Sequence, residues 1–232
     1  MAQESDAAPL RAAWLGRMRF APALELQLAL REAVADGRVA PTLLLVEHPP
    51  VVTLGRRGAR SDVLFSDAQL AAFGVEVCET PRGGQVTLHA PGQLVAYPIV
   101  PIGFQVRRHV MRLGQAAVEL LAELGVADVE LRTDPLGVWY RPGMPERVKL
   151  ASIGVHVSRG VTVQGIAVNL AVDRRLFAGL VSCGMPGVSM SSAVDVGGAE
   201  IAIETAAWAY AGRFAALGGA TLAPVAPDAL LP

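Results

Sequence analysis

One lysine and one cysteine frame the chemistry open to this sequence. Lys149 is the only lysine among 20 basic residues; the others are arginines. Arginine serves salt bridges and phosphate contacts well, but it does not give up its proton near neutral pH, whereas a buried ammonium does. A single lysine in such a composition is therefore a candidate for proton transfer or for tuning a neighbour, its rival reading being a surface residue left by chance. It stands in Val148-Lys149-Leu150-Ala151-Ser152-Ile153-Gly154, and Cys183 follows in Ser182-Cys183-Gly184-Met185, a loop flanked by glycine and proline. An unassisted thiol, with a pKa near about 8.5, is mostly protonated at neutral pH. A nearby ammonium favours the thiolate, and a lysine that takes up a proton acts as base for a second step. A Cys–Lys pair thus suits acyl transfer through a covalent thioester. A Cys–His dyad is the alternative, with His48, His89, His109 and His156 available; of these only His89 lies in a glycine-marked segment.

That segment is Arg82-Gly83-Gly84-Gln85-Val86-Thr87-Leu88-His89-Ala90-Pro91-Gly92-Gln93. Paired glycines either let a ligand approach the main chain closely or simply make a hairpin turn. The alternation after them predicts a strand with Thr87 and His89 on one face. No GK[ST] or GxGxxG follows, so this is not a phosphate-binding loop.

The elements that must position these residues are read from periodicity. Helices are expected from Pro22 to about Gly37, at Asp67–Phe73, at Val106–Leu124, at Asp173–Leu180 and at Glu200–Leu217. Strands are expected at Thr42–Val46, Val51–Leu54, Val75–Cys78, Val86–His89 and Leu94–Val100, the last an edge or interrupted strand because of Pro98. Two further strands fall at Val129–Arg132 and Gly137–Tyr140. A hairpin from Val148 to Leu170 changes apolar phase once in each arm, at Ala151-Ser152 and at Gln164-Gly165. Pairing Val157 with Val161 would set the two slips across from each other and Lys149 opposite Asn169; coincident bulges would then open the sheet for a ligand, the alternative being a twisted hairpin with ordinary glycine kinks. A single domain is expected over 12–220, with loose tails at 1–11 and 221–232.

The totals exclude several classes. The chain has 232 residues, 52% apolar and 18% charged, which fits a globular domain with a substantial core. Twenty basic against 21 acidic residues leave a net charge of −1, giving no reason to expect nucleic acid or a membrane surface as partner. No export signal or spanning segment is visible, so a cytoplasmic protein is expected, with Cys78 and Cys183 as free thiols. Neither paired-cysteine spacing nor HExxH is present, and no metal or cofactor is expected.

The run from Arg82 to Leu94 resembles the RGGxVTYHGPGQL signature of the octanoyl-[acyl-carrier-protein]:protein octanoyltransferases, the lipoate-protein ligase B family. The resemblance continues in Arg147–Gly154, in Gly165-Ile166-Ala167-Val168-Asn169-Leu170 and in Cys183-Gly184. It implies a single α+β domain of the biotin/lipoate-protein-ligase type, a mixed sheet with helices outside. It also implies an acyl thioester on Cys183 whose thiol is tuned by Lys149. Substrate contacts are implied from Arg82, Gly83, Gly84, Gln85, Val86, Thr87, Leu88 and His89, from Ser152, Ile153 and Gly154, and from Gly165, Ile166 and Ala167. The donor implied is octanoyl-acyl carrier protein, and the acceptors are lipoyl domains of 2-oxo acid dehydrogenases and the glycine cleavage H protein. Carrier proteins are acidic, so Arg56, Arg57, Arg107, Arg108 and Arg112 are candidates for docking. The chain departs from the family pattern at Leu88, where Tyr is usual, at Ala90 for Gly, and at Gln164 for His. The ATP-dependent lipoate–protein ligase, which needs no cysteine nucleophile, and a non-catalytic lipoyl- or acyl-binding protein on the same scaffold are the alternatives.

Overall fold

The computed structural model describes residues 9–141, 143–145, 147–180 and 189–231. In chain order the elements begin with strand β1 (Leu10–Arg17), helix α1 (Phe20–Ala35), β2 (Thr42–Glu47), β3 (Val51–Leu54) and α2 (Asp67–Ala72). There follow β4 (Glu76–Glu79), β5 (Val86–His89), β6 (Gln93–Ile99), α3 (Val106–Glu123), β7 (Val129–Thr133) and β8 (Leu136–Tyr140). The chain closes with β9 (Val148–Ser158), β10 (Val161–Asn169), β11 (Ser189–Met190), α4 (Ile203–Ala216) and β12 (Leu222–Pro224).

The main sheet runs β12-β1-β2-β6-β10-β9-β8-β7, with β11 beside β9, and a smaller sheet runs β4-β3-β5. The pairs β1–β12, β1–β2, β9–β11 and β3–β4 are parallel and the remaining pairs antiparallel, so both sheets are mixed. Helices α3 and α4 cover one face of the main sheet. Leu113, Leu120, Tyr210 and Phe214 pack there on Leu43, Leu94 and Val168. On the other face, Leu30 and Val34 of α1 pack on Leu44, Val95 and Val163. The small sheet has its own core, in which Val52 and Leu88 meet Phe177 and Leu180. This is the α+β architecture expected. The spacing of Leu113, Ala117, Leu120, Leu121 and Leu124 gives α3 its buried stripe, and Gly125, at φ +84°, allows the chain to leave the helix.

The hairpin differs from the reading of its phases. Val161 pairs with Ser158, and Gln164 pairs with Val155, one residue away from the expected register. In β10 the side chains alternate without a slip. Val163 and Ala167 belong to the α1 face, while Ile166 and Val168 belong to the α3/α4 face. The strand is buried on both sides, so its apolar residues need not stay on one face, and the sequence shows that exchange as a change of phase. The slip in β9 is a true irregularity, but against β8: Val138 pairs with Ala151 and Trp139 with Lys149, leaving Leu150 as the extra residue. Lys149 therefore lies beside Trp139 and Met190, not opposite Asn169.

The proline strand β6 is central, hydrogen-bonded on both sides. Its ladder with β10 covers only Gln93 to Ala96 and ends before Pro98, where an N–H is not needed. The expected loose ends are also corrected. Leu10 opens β1, and Leu222, Ala223 and Pro224 pair in parallel with Leu10, Arg11 and Ala12. Leu230 is buried, and the Arg11 guanidinium donates to the Leu230 and Ala229 carbonyls. No helix among the described residues is long and apolar enough to cross a membrane.

Candidate active site

A cavity of about 610 Å³ lies where the β9–β10 hairpin, the glycine-marked loop and α3 meet. Along the hairpin it is lined by Lys149, Ser152–Val155 and Gln164–Ala167, extended by Val95 and Tyr97 of β6. The loop 82–87 and His89 cover it, and Val106, Val110 and residues 133–136 close one side.

The glycines of the covering loop have steric work. Arg82 is buried and donates through Nη2 to Thr53 O at 2.7 Å and to Thr53 Oγ1 at 2.8 Å, which fixes the loop to β3. The next N–H, Gly83, donates to Val155 O at 3.0 Å, so the loop is stitched to β9 where that strand has passed the end of β8. A Cβ on Gly154 would sit 3.1 Å from Gly83 O and 3.2 Å from Arg82 Cδ. Gly84 has φ +91°, in the region that favours glycine.

Lys149 is 2% exposed. Its ammonium lies 5.6 Å from the Trp139 ring centroid, and its side chain runs over Gly137 so closely that a Cβ there would collide with Lys149 Cε and stand 3.1 Å from Nζ. Cys183 falls outside the described residues. The strand that follows its segment, β11, pairs in parallel with Val148 and Lys149, and Ser191 N–H donates to Lys149 O at 3.1 Å.

A buried polar chain joins His89 to Ser191, the residue that follows that strand. His89 Nδ1 is 2.7 Å from Gln93 Oε1, which accepts and so fixes the ring hydrogen on Nδ1. Gln93 Nε2 donates to Leu88 O and to Asn169 Oδ1, and Asn169 Nδ2 donates to Ser191 O. Burial, with a smaller contribution from neighbouring His48, pushes His89 down to about 3. His48, held between Met18 O and Tyr97 OH, is pushed down to about 4 by burial. Both imidazoles are neutral at physiological pH.

Of the expected substrate-contact residues, Arg82–Thr87, His89, Ser152–Gly154 and Gly165–Ala167 line this one cavity. Leu88 does not. It is 1% exposed in the core of the small sheet, where Val86 and the fully buried Ala90 also pack. The Leu-for-Tyr and Ala-for-Gly departures are thus changes in packing, whereas Gln164 faces the cavity. Among the docking candidates, Arg56, Arg57, Arg107 and Arg108 are exposed. Arg112 turns inward: its Nε donates to Phe214 O at 2.7 Å, and the guanidinium lies 3.9 Å over the Phe214 ring. Cys78 is half-buried in β4 rather than a core residue, its thiol pushed up by burial and by Glu76. Sequence reasoning missed Tyr97, Val106, Val110 and the loop 133–136. The first three carry ordinary strand and helix periodicity, and no local motif marks the loop. Among the described residues, no group of three or more His, Cys, Asp or Glu could hold a metal ion.

A family model described as the lipoyl protein ligase A/B catalytic domain matches residues 19–214. Among curated proteins, the octanoyltransferase of Acidobacterium capsulatum is 46% identical over 182 residues, 74% of each chain. That of Chloroflexus aurantiacus strain J-10-fl is 40% identical over 198 residues, 83% of this chain and 87% of the relative. That of Geobacter metallireducens is 38% identical over 205 residues, covering 86% and 89%. Among solved structures, lipoate-protein ligase A bound with ATP superposes with a TM-score of 0.73 at 13% identity, covering 96% of this chain and 90% of that one. The bipartite lipoate protein ligase of Thermoplasma acidophilum superposes with a TM-score of 0.72 at 15% identity, covering 96% and 88%. At such identities the structural likeness speaks for the fold, and the sequence relatives speak for the family. The chain belongs to the lipoyl protein ligase A/B catalytic-domain family and, within it, to the octanoyltransferases.

Proposed function

We propose that this acyltransferase passes an octanoyl group from acyl carrier protein to a lipoyl-domain lysine through a thioester on Cys183, with Lys149 as the proton-exchanging partner. Octanoyl transfer in lipoate biosynthesis follows from the family. The observation that carries it is the placement of Lys149. The only lysine of the chain is buried on a largely apolar cavity, against the strand that follows the segment containing Cys183.

The steps balance without a further reactant. The Cys183 thiolate attacks the thioester carbonyl carbon, and the carbon–sulfur bond to the carrier's pantetheine breaks. The carrier thiolate leaves and takes up a proton from the Lys149 ammonium, which leaves Lys149 neutral. The amine of an acceptor lysine then attacks the acyl-enzyme, Lys149 takes the amine's proton, and the Cys183 thiolate departs. Thioester to amide is downhill, so no nucleotide is consumed. The hydrocarbon tail would rest on Val95, Ile153, Val155, Ile166 and Ala167, each buried methylene contributing about 0.8 kcal/mol. Exposed Arg56, Arg57, Arg107 and Arg108 suit an acidic partner, and Arg57 also lines the cavity.

Intact-mass measurement after incubation with octanoyl-carrier protein tests the reading. A covalent octanoyl adduct is expected on the wild type and none on Cys183→Ala; an adduct that persists in the variant removes Cys183 as nucleophile. Lys149→Arg keeps the positive charge and should abolish transfer. Full activity would show that proton exchange at this position is unnecessary.

A further inference from the structure

The transfer steps above leave Gln164 without a role. It lines the cavity, is 1% exposed and holds φ +64°, a backbone setting that few residues other than glycine adopt. Its backbone N–H donates to Gln27 Oε1 of α1 at 2.8 Å. Its side-chain Nε2 has no acceptor among the described residues, and neither does Gln27 Nε2, although Gln27 is 0% exposed. Each carboxamide nitrogen carries two donors, and a buried donor without an acceptor is costly. Gln164, the one of the two that lines the cavity, asks for an acceptor supplied from outside the protein.

Its position gives that demand a meaning. Gln164 pairs with Val155, six residues along β9 from Lys149, which is about 20 Å at the rise of an extended strand. Lys149 and Gln164 therefore mark opposite ends of the hairpin's share of the cavity, with Ile153, Ile166 and Ala167 between them. A lysine side chain and an extended eight-carbon acyl chain together roughly cover that length.

We propose that the Gln164 carboxamide is a polar stop that sets the acyl chain length. This rests on the reading that the tail lies along the hairpin. A chain ending short of Gln164 leaves its donors free to bond water. Each further methylene is driven against donors that it cannot satisfy. A chain of the same length that carries an oxygen acceptor near its far end bonds them directly.

The test compares acyl-enzyme formation by intact mass from hexanoyl, octanoyl, decanoyl and 7-oxo-octanoyl pantetheine thioesters. In the wild type, decanoyl transfer is expected to fall roughly tenfold or more below octanoyl, while the 7-oxo chain stays within about threefold of octanoyl. In Gln164→Met, which keeps length and removes the donors, the decanoyl-to-octanoyl ratio should rise about tenfold and the 7-oxo chain should become the poor substrate. An unchanged ratio in a folded Gln164→Met protein overturns the proposal. So does a 7-oxo chain rejected tenfold or more by the wild type, a result that stands even if the variant fails to fold. Absence of an adduct from every donor would sink the transfer reading and this one with it, whereas adducts indifferent to length or oxygen would sink this one alone.

Discussion

Acid should destabilise this protein through its buried histidines. Burial pushes His48 down to about 4, His89 to about 3 and His109 to about 4. An unfolded histidine titrates near about 6.5. Between these values the unfolded chain binds protons that the folded chain refuses, so stability is full above the unfolded value and declines as pH falls towards the folded ones. From pH 7.5 to pH 5 each fully buried imidazole then costs about 2 kcal/mol, and the three together about 6 kcal/mol. That sum is a ceiling, because denatured chains keep some burial. The carboxylates whose values are lowered, Glu32, Asp36 and Asp173, are held by arginines below the ordinary range and titrate beneath this window. Half-buried His156 is also lowered and adds a smaller share. Urea unfolding measured at half-unit steps from pH 7.5 to 5 reads the slope. His109→Leu is the informative variant, since His109 Nε2 has no partner among the described residues and the ring rests edge-on against Phe214. It should flatten the profile by about 2 kcal/mol over the window. A flat wild-type profile, or an unaltered slope in His109→Leu, would refute the argument that these rings are neutral because they are buried.

Other outcomes follow from the same geometry. Gly137→Ala places a Cβ against Lys149 Cε and 2.6 Å from Ala151 O, so acyl transfer should drop at least about tenfold alongside a stability loss of roughly 1–3 kcal/mol; full transfer rates would show that Lys149 need not hold this pose. Arg82→Lys removes the forked contact with Thr53 and should cost about 2–3 kcal/mol in urea unfolding, with little change expected if the loop is held mainly by Gly83. Gln93→Met deprives His89 and Asn169 of their shared partner and should lower stability by about 2–4 kcal/mol; a neutral result would mean that the chain to Ser191 is not a unit.

Local pattern carried most of the fold. The stripe of α3 and the strands around Leu43, Val51 and Val86 lie where periodicity places them, because each buries one face or one run. The reading failed where burial was two-sided or pairing distant. In β10 both faces are covered, so a change in apolar phase signals no bulge. The ends looked polar and alanine-rich, yet β12 and β1 are joined across the whole length of the chain, which no local window reveals. At the site, the covering loop and the hairpin were legible because glycine stands where a Cβ would strike Gly83 or Arg82. Leu88 falls outside the cavity lining although the resemblance marks a continuous block, because it packs into the core of the small sheet. The loop 133–136 was missed because its role comes from tertiary placement beside Lys149.

The cavity has a fixed side and a loose one. β10 is flanked by paired strands and packed on both faces, so its amides should exchange with solvent only when the whole molecule opens. The covering loop meets β9 through the main-chain bond from Gly83 to Val155, while Arg82 and the amides of Gly55, Arg56 and Arg57 hold it on the β3 side, so the Gly83 amide should exchange sooner than those of β10. Entry of a fatty chain between loop and hairpin would then require the contact with Val155 to yield while the β3 anchor and the measuring surface beneath stay still, so that capture and selection are done by different parts of the molecule.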